Sequence, residues 1–111
     1  MSNNDTITES SGNVFADLGM PDAAAAQVKA HLTFRVVKRI KARGLTQIAA
    51  AARLGISQPD VSRPMKNRPT GFSTDRLLTL LTALDIDVDI VLHPVSAHTH
   101  SAKLSIREER L

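Results

Sequence analysis

Residues 45–68 read LTQIAAAARLGISQPDVSRPMKNR, and the order of residue types predicts two short helices meeting at a tight corner. Thr46 stands where a hydroxyl can cap the first helix, Gln47 to Leu54. Ala50 and Ala51 are small where two helices approach closely. Gly55 adopts a positive φ without steric cost, so it can end this helix and turn the chain. Ser57 is the next capping hydroxyl, and Asp60 three residues on gives a weak form of the capping box. A further helix is predicted from Gln58 to about Met65. Ile56 and Val61 are apolar plugs between the two helices. Pro64 lacks an N–H to return to Asp60, and its ring clashes with that carbonyl. The helix is therefore predicted to end or kink at Arg63. This is the layout of a helix-turn-helix, whose second helix lies in the major groove of DNA with its leading residues against the bases.

Working outward, Pro21-Asp22 opens a long helix predicted over residues 22–43. Val28, Leu32, Val36 and Ile40 recur every four residues on one face, and Ala25, Phe34 and Val37 widen that stripe. Lys38, Arg39, Lys41 and Arg43 crowd its last turns, where cations suit the helix dipole. Gly44 supplies the stop. On the other side, Asn67 to Gly71 read as a loop. Ser73 caps a helix over residues 74–84, with Phe72 and Leu77 placed for a hydrophobic staple. Ile86, Val88, Ile90 and Leu92 then alternate with Asp87, Asp89 and Val91, the two-residue period of a half-buried strand. No partner strand is evident elsewhere. Two readings follow: the strand pairs with its own copy across a two-fold axis, or it packs as an extended segment on its own helices.

The chain has 111 residues, enough for one compact domain. Its organisation is predicted as a disordered arm over residues 1–12, a helical domain with its strand over 13–94, and a flexible tail over 95–111. Val14, Phe15 and Leu18 lie close together in sequence, where a short turn is predicted to tuck them onto the domain. The fold class is mainly α, with four to five helices. All three aromatic residues are Phe, so the core is aliphatic. There is no cysteine, which excludes disulfide and thiolate-metal chemistry and fits a reducing cytoplasm. No run of about 18 apolar residues offers a membrane span, and the polar first residues do not form a secretory signal.

Residues 29–76 hold eleven basic residues against two acidic ones, although the whole chain carries only +3. Such a block is either a face for a polyanion or a solvated helix surface. His31 stands alone in the first helix. His93, His98 and His100 lack a carboxylate or cysteine in a metal-ligand spacing. Asp85, Asp87 and Asp89 do not form a calcium loop. No phosphate-cradling glycine loop is present. No metal, cofactor or enzymatic activity is expected.

Residues 39–72 resemble the helix-turn-helix of the XRE family, which includes the Cro and phage repressors and has a lambda-repressor-like fold. The stretches NVFADLG, LTFRVVKRIKARGLTQ, LGISQPDVSR, GFSTDRLLTLL and DVDIVL extend the resemblance to antitoxins of the HigA kind, encoded beside a RelE/HigB-like toxin. The resemblance implies binding to duplex DNA as a homodimer on an inverted repeat, and a cognate toxin partner. It places Gln47 at a phosphate. Gln58 then faces an adenine edge or is ordinary surface, and Pro59 touches a thymine methyl or simply starts the helix. Ser57 begins the reading helix and is a cap in either case. Ser62 reaches a base or a phosphate, Arg63 a guanine or, like Gln58, ordinary surface, and Lys66 and Arg68 phosphates rather than neutral surface. Where the family has leucine or a similar residue this chain has Pro64. Ile86, Val88, Ile90 and Leu92 are the expected dimer strand. A stand-alone repressor without a toxin and a protein-interaction module with a basic face are the alternative functions.

Overall fold

The computed structural model describes residues 23–68, 70–96 and 101–109. The expected arm over residues 1–12, the turn at Val14, Phe15 and Leu18, and the pair His98 and His100 lie outside these residues. The chain divides into two compact units: Leu32–Val88, and a second drawn from Met1–His31 and Asp89–Leu111.

Among the described residues four helices follow in order: α1 (Ala23–Ala42), α2 (Gln47–Leu54), α3 (Gln58–Met65) and α4 (Thr74–Ala83). Each predicted cap forms. Thr46 Oγ1 accepts the Ala49 N–H at 3.0 Å, Ser57 Oγ that of Asp60 at 3.2 Å, and Ser73 Oγ that of Arg76 at 3.3 Å. Each bond satisfies one amide that a helix start leaves without a partner, worth about 1 kcal/mol. The Ser73 hydroxyl and the amides of the first turn hold the Asp75 carboxyl below the ordinary 3.8.

All four helices end in the same closure. The residue just past the end takes a left-handed conformation, and the next N–H reaches back to a free carbonyl. Gly44 (φ 66), Gly55 (φ 68), Asn67 (φ 58) and Asp85 (φ 64) hold these positions. The returning bonds are Leu45 N–H to Ile40 O, Ile56 to Ala51, Arg68 to Arg63 and Ile86 to Leu81, at 2.8–3.2 Å. Asn and Asp are the side chains that tolerate this conformation best after glycine.

The core of the Leu32–Val88 unit is aliphatic. Ile40, Val61, Leu77, Leu80 and Leu84 are its largest fully buried side chains. Ala50 is fully enclosed and Ala51 nearly so, which lets α2 approach its neighbours closely. Phe34 departs from the expected stripe and is 53% exposed. Two residues beyond Leu32 rotate a helix by about 200°, so Phe34 falls on the far side. Its ring sits 5.8 Å from the Arg35 guanidinium and 5.9 Å from the Lys38 ammonium. Ala25 is also exposed, while Val28 is half-buried.

The helix α3 does not stop at Arg63; it runs to Met65 with Pro64 inside. Pro64 stands one residue from the end, so it removes only the bond to the Asp60 carbonyl. The last turn closes without it: Lys66 N–H reaches Ser62 O at 3.1 Å and Arg63 O at 3.0 Å, and Asn67 N–H reaches Pro64 O at 3.1 Å. The half-buried Pro64 ring lines a small apolar recess with Val36, Ile40, Val61, Phe72 and Leu77.

No strand is formed among the described residues, so the predicted strand over residues 86–92 is absent within the chain. Strands require a hydrogen-bonded neighbour, and among the described residues no ladder to another segment forms here. Ile86 is instead buried, its N–H bonded to Leu81 O. Val88 is half-buried, whereas Ile90 is 72% and Leu92 91% exposed. The alternation thus does not resolve into one buried face. In the second unit, His31 gains the partner its own sequence neighbourhood lacks: its Nε2 pairs with a Glu108 carboxylate oxygen, both side chains being largely buried.

Three arginines close the end of α4. Arg53 Nε donates to Ala83 O at 3.0 Å, Arg39 Nε to Leu84 O at 2.9 Å, and Arg43 Nη1 to the same carbonyl at 3.3 Å. Arg43 and Arg53 also hold Asp85 Oδ2 at 2.9–3.0 Å. The last turn of α4 has no basic residue of its own, so α1 and α2 supply the cations its negative end favours. Hydrogen bonding from Arg43, with the charges of Arg53, Arg43 and Arg39, holds the Asp85 carboxyl below the ordinary 3.8 against a smaller opposing effect of desolvation.

A carboxyl depressed in the folded state stabilises fully above its unfolded value and loses that contribution as pH falls through its folded one. Asp85→Asn, which keeps the left-handed tolerance, should therefore melt below the parent at pH 7, with the gap narrowing as pH drops below 3.8. A gap unchanged between pH 7 and acid would show that the charge is not its source. Pro64→Leu should raise the melting temperature, by less than the ~3 kcal/mol that proline costs deep inside a helix. An unchanged melting temperature would show that the helix end carries no strain.

Candidate nucleic-acid interface

The corner between α2 and α3 decides what α3 can touch. Gly55 turns the chain at φ 68, and a Cβ there would meet nothing within 4 Å. The need for glycine is therefore conformational and not a matter of space. Val61, 1% exposed, anchors the inner face of α3. At about 100° per residue, Val61 and Pro64 fall on that inner side, and Gln58, Pro59, Ser62, Arg63 and Lys66 span about 140° of the opposite side.

Exposure follows this division. Ser57, Gln58, Pro59 and Arg63 are exposed, as are Lys66 and Arg68 beyond the helix end. Ser62 is half-buried, and its hydroxyl donates to Pro59 O at 3.3 Å. Gln47, at the first position of α2, is half-buried. Ser57 spends one lone pair on its cap and keeps its proton for another acceptor. The structure thus gathers Ser57, Gln58, Pro59, Ser62 and Arg63 on one short helix, with Lys66 and Arg68 at its far end. Gln47 belongs to the neighbouring helix.

The charge around this helix differs from a simple count of basic residues. Arg39, Arg43 and Arg53 are engaged at the end of α4. Arg63, Lys66 and Arg68 remain as the cations of α3 and its following turn. Sequence reasoning read Asp60 only as a capping residue. Its N–H does take the cap from Ser57, but its Oδ1 accepts from Arg63 Nη1 at 3.3 Å. The three-residue spacing between them on a predicted helix was the available signal. His93 is exposed, and no cluster of potential metal ligands occurs among the described residues. No helix among those residues is long and apolar enough to cross a membrane.

Comparison with known proteins bears on the same elements. Residues 14–93 match a family of helix-turn-helix domains. No curated protein matches the chain significantly. A solved structure described as "Putative XRE Family Transcriptional Regulator" aligns with a TM-score of 0.74 and 43% identity, covering 80% of this chain and 100% of the other. That degree of identity over the whole of the solved protein, on top of the domain match, establishes that the chain belongs to the XRE family of helix-turn-helix proteins.

Proposed function

We propose that the chain is a sequence-specific regulator of transcription that binds double-stranded DNA through α3. One observation carries the reading: the exposed side of α3 is made of Gln58, Pro59, Ser62 and Arg63, none of them buried in the core. Together these side chains carry groups that can read base edges. The amide of Gln58 pairs with adenine through two atoms, the Pro59 ring meets a thymine methyl, and the Arg63 fork meets guanine. Ser57 and Ser62 reach a base or a phosphate. Gln47, Lys66 and Arg68 hold phosphates and fix the register.

One such helix touches few base pairs, so the proposal includes a homodimer on an inverted repeat. The segment with Val88, Ile90 and Leu92 is the proposed contact. Its exposed apolar side chains and unpaired backbone fit a second copy lying alongside, with Ile86 anchoring the segment to its own helices. Within this function, the likeness of residues 13–92 to HigA-type antitoxins favours a protein that represses its own operon and neutralises a RelE/HigB-like toxin.

A gel-shift against the DNA upstream of its own gene, with and without the neighbouring gene product, tests the function. Retardation that weakens with salt supports it; indifference at low salt contradicts it. Arg63→Ala should lose about 1–3 kcal/mol on the preferred duplex and relax one base position. Equal weakening on all sequences would make Arg63 a phosphate contact. Ile90→Asp should leave the fold intact, shift sedimentation from dimer to monomer and abolish preference for two half-sites over one. A variant that remains dimeric would place the interface elsewhere.

A further inference from the structure

Residues 23–74 contain ten lysines and arginines and one carboxylate, Asp60. That lone acid stands on the helix proposed to enter the groove, where each phosphate repels it. A helix selected only for attraction to DNA would not carry it. Its contact with Arg63 does not explain it as a stabilising feature. The side chains are 38% and 55% exposed, and an exposed pair of this kind contributes little to folding. The first-turn position also favours an acid modestly through the helix dipole, which leaves open what its side chain does beside Arg63.

The geometry of the pair offers another role. Asp60 Oδ1 accepts from Nη1 of Arg63, at one corner of a planar guanidinium. The Nη2 and Nε edge then remains as a two-donor fork, the shape that meets O6 and N7 of guanine. The separation of 3.3 Å is longer than the about 2.7–2.9 Å of a tight charged bond, so the contact biases orientation without locking it. A guanidinium turned toward a phosphate would leave the carboxylate unpaired against the DNA backbone.

We propose that Asp60 is a positioning residue that sets specificity: it orients Arg63 toward a guanine and penalises complexes in which Arg63 settles on phosphate instead. This rests on the reading of α3 as the DNA-reading helix. Asp60 makes nonspecific binding weaker while leaving cognate binding nearly unchanged.

The test uses the full chain and four proteins: the parent, Asp60→Asn, Arg63→Ala and the double variant. Each is titrated against the duplex enriched from a random pool by the parent, the same duplex with the Arg63-dependent guanine replaced, and a scrambled duplex. Asp60→Asn should bind the scrambled duplex more tightly and lose about tenfold of the discrimination at that guanine. In the Arg63→Ala background the same substitution should leave that discrimination unchanged, which a purely structural role would not produce. Unchanged discrimination in Asp60→Asn, or an equal loss in both backgrounds, overturns the inference while leaving the function intact. A parent without sequence preference overturns the reading of α3, and this inference with it.

Discussion

The left-handed turn at Gly55 is the constraint on which the arrangement of α2 and α3 depends. Past it the half-buried Ile56 lines the apolar recess beside Val61, and α3 starts with Ser57 as its cap. Two small residues and one buried β-branched residue complete the corner. Ala50 and Ala51 allow close approach, and Val61 fills the space that remains. Because the inner side of α3 is committed to Val61 and Pro64, its other side is free of packing duty. Function enters through that division. The side chains that fold the corner and those available to a partner occupy different sides of the same eight-residue helix.

Electrostatics divides in a similar way. A count of basic residues suggests one broad cationic face, but Arg39, Arg43 and Arg53 converge on the last carbonyls of α4 and on Asp85. They stabilise partial charges that the end of a helix would otherwise leave to water. Their role is architectural, because they tie α1 and α2 to α4. The cations left near α3 are fewer and better defined. Net charge alone overstates how much of a domain's basicity is directed at a polyanion.

Much of this was legible in the sequence for local reasons. Thr46, Ser57 and Ser73 act within three residues of themselves, so their caps could be read from spacing. Gly44 and Gly55 announce left-handed closures because few other residues tolerate them. Asn67 and Asp85 perform the same closure less visibly, since both also suit ordinary loops. Contacts between distant segments were not legible. Nothing near His31 indicates Glu108, 77 residues away. The arginine cluster depends on how three helices pack. The hydrophobicity of Phe34 outweighs its angular position as a sequence signal, and the end expected at Arg63 gives way to the end at Met65 because the closing bonds of the last turn do not need the Pro64 N–H. The alternation over residues 86–92 has the period of a strand, but no strand forms there among the described residues. The candidate site was legible as a set of exposed positions on α3, but the Asp60–Arg63 contact within it needed side-chain geometry.

The central claim is that the outer side of α3 is the surface that meets the duplex. Backbone amide shifts recorded as the isotope-labelled full chain is titrated with its preferred duplex test this most directly. The account predicts the largest changes at residues 57–63 and 66–68, with a smaller set at the start of α2 around Gln47. Changes confined to α1 or α4 and silence along α3 would contradict it.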